Sequence, residues 1–257
     1  MRRPVRWCAA ARHRGRPTDA RYAAVPAAET AAPSPTAEPR RTPAKKNDRP
    51  ATTQAASQET RPSSKNYPYR YEFSQPEFPV ARIVIEHDES GAGSIRFSKR
   101  GSTEEIADPL EVSRAALERI NKAFDELGFL NSVEDYQYEK DYSHLGNVTI
   151  TLRRDGRERI ATFNWTVNKN AKVLYDEYRK LANQYVWQFD IAVARDNQPL
   201  DSPRLMDSLD SLLKRNEISD PLQMLPLLTA LSKNERLPLI ARNHATRLIG
   251  KIEKSYR

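Results

Sequence analysis

Cysteine is nearly missing from this 257-residue chain: Cys8 is the only one. One thiol excludes an internal disulfide, a Cys-based zinc cluster and, beyond residue 8, a cysteine nucleophile. Glycine is also scarce, eight in all, and none sits in a phosphate-cradling loop pattern. No apolar run approaches the roughly 20 residues needed to cross a bilayer. Nor does the region ahead of residue 66 hold the apolar stretch, about 7–15 residues long, of a signal peptide. No apolar stretch precedes Cys8, so "RWCAAA" does not read as a lipoprotein signal.

Charge of one sign is missing from most of the chain too. The net charge is +8, but residues 1–65 carry 14 Lys/Arg against 5 Asp/Glu, leaving 28 against 29 for the remainder. The first 65 residues also hold 9 of the 18 prolines and few large apolar residues. Such a stretch buries too little surface to offset its ordering entropy, so it is expected to be disordered. Three readings of it stay open: a solvated spacer, a polybasic arm making non-specific contact with polyanions, or translated GC-rich sequence upstream of the true start. The division expected is a basic tail over 1–65, an α+β domain over 66–198 and a helical segment over 199–257.

What is present is patterned. Tyr69–Gln75 alternates aromatic and polar residues, as a half-buried strand does. Val80–Glu86 is β-branched and apolar, and with Ser94–Ser98 it reads as a hairpin around "HDESGAG". Ser113 to Leu127 is a helix with stripe Leu117, Ile120, Phe124 and Leu127, N-cap Ser113 and C′ residue Gly128. Asn147–Arg153 and Glu158–Thr166 flank Asp155-Gly156, a strong hairpin signal. Ile160 and Thr162 face one way and Ala161, Phe163 and Trp165 the other, so this strand is expected to be covered on both sides. A long helix runs from Ala171 to about Ala194. The fold expected is α+β, an antiparallel sheet of hairpins covered by two helices.

Beyond residue 198 the pattern predicts helices at about 203–215, 221–231 (kinked at Pro226) and 234–253. The stretch 221–253 resembles a single HEAT-type helical pair, through its proline in the first helix and Arg242, Ala245 and Ile249 in the second. Over about 80–190, the order hairpin, helix, Gly128-Phe129-Leu130 step, strand with Thr149 and Thr151, Asp-Gly turn and final helix resembles a family of uncharacterised bacterial domains. Many members of that family are exported. The resemblance implies the fold and a cell-envelope location, and no chemistry.

Two clusters are candidates for chemistry. "DYSH" sets Asp141, Ser143 and His144 close in sequence. A triad needs its base held against the nucleophile, whereas adjacent side chains of an extended segment point apart. Asp141 and Ser143 are instead expected to bond nearby backbone amides. A divalent metal is the second candidate: His87, Asp88 and Glu89 would converge with Glu139, Asp141 and His144 if both groups lay at one sheet edge. Neither has a recognised ligand spacing. His244 reads as a surface or interface residue, Trp165 and Trp187 as core, and Asn147 and Asn164 as acceptor patterns inside strands. The expectation is a non-catalytic binding or scaffold module with an unknown protein partner, no cofactor and no catalytic residue. The alternatives are a metal-dependent hydrolase using His87 and His144, and polyanion binding through the tail.

Overall fold

A computed structural model describes residues 67–256. The expectations for the basic tail, including its polyanion contact, lie outside the described residues. Six strands form one antiparallel sheet: β1 (Tyr69–Ser74), β2 (Val80–His87), β3 (Ala92–Lys99), β4 (Ile106–Glu111), β5 (Asn147–Arg154) and β6 (Arg157–Phe163). Their order across the sheet is β4-β3-β2-β1-β5-β6. The first four strands make a meander, and β5 returns to pair with the far side of β1.

Two helices, α1 (Arg114–Glu126) and α2 (Lys169–Asn197), pack on each other and on one face of the sheet. The α+β expectation is therefore met. Ser113 caps α1 by accepting from the Ala116 N–H, and Gly128 beyond it has a φ of 52°, as the sequence predicts. The buried face of α1 is Ala116, Ile120, Ala123 and Phe124, so small residues let the helix approach the sheet. Helix α2 is longer than expected, 29 residues or about 43 Å. Its first half, through Leu174, Tyr178 and Leu181, completes the core over Tyr69, Tyr71, Ile85, Ile95 and Ile150.

The second half of α2 serves another core. Trp187 and Ile191 pack among α3 (Ser202–Lys214), α4 (Leu225–Lys233) and α5 (Leu239–Ser255). The Trp187 indole donates to the Leu205 carbonyl, 2.8 Å away. Arg119 on α1 ties the layers by donating to Glu177 on α2 and to the Ser219 carbonyl ahead of α4. Two boundaries differ from the sequence reading. Pro226 does not kink a helix: residues 221–224 form a 3-10 turn, and α4 starts afresh with Pro226 in its first turn, where no N–H is needed. The last helix starts at Leu239 rather than Asn234, because Asn234 closes a turn with Arg236 and Leu237 and Pro238 blocks earlier helix.

Strand β4 is an addition. Its sequence, IADPLE, contains a proline, yet it pairs with β3 in register, Ser94 opposite Pro109. The expectation that the last strand is covered on both sides is corrected: Ile160 is 58% exposed.

Candidate interaction edge

The register of the sheet separates the proposed metal ligands. His87 lies opposite Tyr69 at one end of β1, and Ser74, at the other end, lies opposite Asn147. His144 lies three residues ahead of Asn147. The two histidines are thus about 17 Å apart along the strands, and the expectation that they share a sheet edge is corrected. No group of three or more His, Cys, Asp or Glu side chains converges among the described residues. His87 is fully buried on the helix side of the sheet. Its Nδ1 lies 2.9 Å from the Asp88 carbonyl, so Nδ1–H donates there and Nε2 accepts from the Tyr178 hydroxyl, also at 2.9 Å. The Tyr69 ring stacks on the imidazole at 4.6 Å. Burial holds His87 below its ordinary pKa. It is a neutral core group with both nitrogens committed. Asp88 is committed as well: it accepts from the Ser90 N–H and hydroxyl and the Ala92 N–H, bonds that tighten the turn and hold its carboxyl below the usual range.

The "DYSH" segment leads into β5. Ser143–Leu145 is a 3-10 turn whose Ser143 carbonyl accepts from Gln75. Asp141 does not bond a backbone amide, as the sequence suggests, but accepts from the side chain of Asn164. Asn164 also accepts from Gln137 and from the Tyr142 N–H. His144 is exposed, edge-on to Tyr142. Tyr142 stacks near Tyr138 and lies 5.8 Å from Trp165, with Lys140 over its ring. Trp187 is core as expected, but Trp165 is 44% exposed and belongs to this surface cluster. His244 is buried between α5 and α3, with Nδ1 3.3 Å from Asp207.

The open face of the sheet carries charge in balance. Arg70 pairs with Glu72 and Glu86, Arg82 with Glu72 and Glu105, and Arg96 with Glu86. Val84 is buried on this face between these rows, under their aliphatic stems. Every guanidinium in this ladder already has a carboxylate, so the face is not the unpaired basic surface that reads nucleic acid.

The two edges of the sheet differ. On β4 the N–H and C=O of Glu111 point away from β3, and the Tyr185 hydroxyl meets both, at 2.8 and 3.0 Å. Because outward residues alternate, Pro109 is the next outward one, and it has no N–H to offer. That edge is interrupted, and Ala107 is its one residue with both an N–H and a C=O facing outward and unpartnered among the described residues.

On β6 the turn sets the parity. Asp155 and Gly156 have φ of 54° and 72°, the signature of a two-residue type I′ hairpin. Arg154 and Arg157 then form a hydrogen-bonded pair, and every second pair after them does too. The Arg153 N–H confirms this parity by donating to Pro68, on the β1 side. It follows that Glu158, Ile160 and Thr162 turn their N–H and C=O groups outward. None of these six groups has a hydrogen-bond partner among the described residues. The next outward N–H, that of Asn164, is taken by Gln137 Oε1, and the Trp165 carbonyl by the Tyr138 N–H. The open stretch is bounded by the turn at one end and Gln137-Tyr138 at the other. Beside it runs a groove of 440 Å³ between β6 and residues 130–136. The far wall is fixed by Arg159, which donates to the carbonyls of Phe129 and Glu134 and to the Tyr136 hydroxyl.

Sequence reasoning named none of these edge residues as a site, although the Asp-Gly turn and the proline in IADPLE carry the parity of both edges. Compared with known proteins, the chain matches no family model and no curated protein, so the reading of this edge stands on its geometry.

Proposed function

We propose that this protein is a non-catalytic binding module that takes up an extended segment of a partner protein as a seventh strand along β6. The observation carrying this reading is the row of six outward backbone groups on Glu158, Ile160 and Thr162, set beside a groove, on a sheet whose opposite edge is interrupted at Pro109 and at Glu111. An exposed edge of this kind is a template for strand addition. Main-chain bonds supply affinity there, at roughly 0.5–1.5 kcal/mol net each. Ordering a flexible peptide offsets much of that gain, so dissociation constants on the order of micromolar are expected. Ile160 and fully exposed Val133 offer apolar contact to alternate side chains. Glu134 and Asp135 make no ion pair among the described residues and favour a basic residue in the segment. The hydrolase alternative has no common site for His87 and His144. In this reading the α4–α5 pair, the HEAT-like element of the sequence, is a cap that stiffens α2.

The test is selection of decapeptides from a random display library on the full chain, followed by a proline scan of the peptides that bind. Strand addition predicts sensitivity at every second peptide position, because only alternate residues bond to β6. Sensitivity at a spacing of three to four residues, or none, would show that the peptides bind as helices or through side chains alone.

A further inference from the structure

We infer that the cavity between the β1–β2 turn and α2 is a binding site for a small uncharged molecule with an apolar body and one hydrogen-bond acceptor. The cavity measures 310 Å³. Phe73, Val80 and Ile83 on the sheet and Val186 on α2 form its apolar walls. Phe78, in the turn that connects the two strands, stands at the rim and is partly exposed. For scale, a cavity of about 150 Å³ accepts benzene, so this one has room for two fused rings.

What makes it a site rather than a packing defect is the Tyr71 hydroxyl. Tyr71 is 1% exposed and stacks on Tyr178. It lines the cavity, and its hydroxyl bonds to no described residue, yet the oxygen is not among the fully enclosed polar atoms, so it is reached from the cavity. A hydroxyl that opens into a largely apolar cavity is a donor that an acceptor entering the cavity takes up in place of water. Burial also pushes the Tyr71 pKa up, so the group is a neutral donor. The charge at this end is already balanced. Arg179 lies 3.1 Å from Glu217 and 3.5 Å from Asp176, and Asn183 donates to the Glu217 carbonyl. A carboxylate would find no free cation and would meet two acidic groups. A ketone, ester or ether fits better.

The probe is 2-acetylnaphthalene, compared with naphthalene and 2-naphthoate, titrated into the full-length protein by calorimetry. The ketone should bind more tightly than either comparison ligand. Tyr71→Phe keeps the ring and removes only the hydroxyl. It should weaken ketone binding about tenfold and leave naphthalene unchanged. Val186→Trp should abolish binding of both by filling the cavity. Ile160→Pro, remote from the cavity on β6, should alter neither. Absence of ketone binding, equal ketone affinity in Tyr71→Phe, or tighter binding of naphthoate would each overturn the proposal.

Discussion

A proline at position 160 is expected to abolish peptide capture while leaving the fold in place. The Ile160 N–H points away from β5, so the substitution removes no ladder bond. Arg159 is already extended, the conformation required ahead of proline. The Ile160 side chain is largely exposed and contributes little burial, so the stability change should stay within about 1 kcal/mol. The effect on the edge is large by comparison. Proline deletes the central donor of the three, and its ring holds an incoming strand off the neighbouring groups. Loss of two or three bonds at about 1 kcal/mol each weakens binding by roughly 30- to 150-fold. Ala161→Pro is the contrast. The Ala161 N–H belongs to the ladder with Ile150, and its removal should destabilise the protein by about 3 kcal/mol. Calorimetry with a selected peptide and urea denaturation of both variants measure the two effects. Unchanged binding to Ile160→Pro would mean that the peptide sits elsewhere.

Gly93→Ala is expected to be among the most destabilising single-methyl changes in the sheet. Gly93 faces His87 across the β2–β3 ladder. A Cβ there would lie 1.9 Å from the Glu86 carbonyl oxygen and 2.7 Å from the His87 Cα. Both atoms are backbone, so no side chain can swing aside, and β2 must move. That movement displaces His87 from between the Tyr69 ring and the Tyr178 hydroxyl. The expected loss exceeds about 3 kcal/mol, at or beyond the usual range for overpacking. Gly250→Ala in α5 is the control. A Cβ at that position meets nothing within 4 Å, and alanine should stabilise the helix by about 0.5–1 kcal/mol. If urea midpoints for the two variants were equal, the close approach of β2 and β3 at Gly93 would be wrong.

What the sequence made legible was local. The caps Ser113 and Gly128, the Asp155-Gly156 turn and the apolar run of β2 each depend on neighbours within a few residues, and each is where the pattern puts it. What it hid was set by pairing across the chain. β1 is central because β5 returns to it after α1, and no local signal announces that return. The same register drives His87 and His144 apart, so two clusters alike in composition share no site. Pro109 reads as a strand breaker until its missing N–H is seen to face outward, where an edge strand tolerates it. Trp165 shares the period of Ala161 and Phe163, but the strand ends at Phe163 and the chain turns the indole toward Tyr142. The parity of β6 could be read from the turn. Its position at the edge, and the seal at Asn164 by Gln137, could not.

The measurement that bears most directly on the open edge is residue-resolved amide hydrogen exchange along β6, without and with a selected peptide. In the free protein the amides of Glu158, Ile160 and Thr162 should exchange quickly, and those of Arg159, Ala161 and Phe163 slowly, a contrast with a period of two residues. Added peptide should protect the first three and leave the others as they were. Protection of Glu158, Ile160 and Thr162 in the free protein, or peptide binding that leaves their exchange unchanged, would contradict the account.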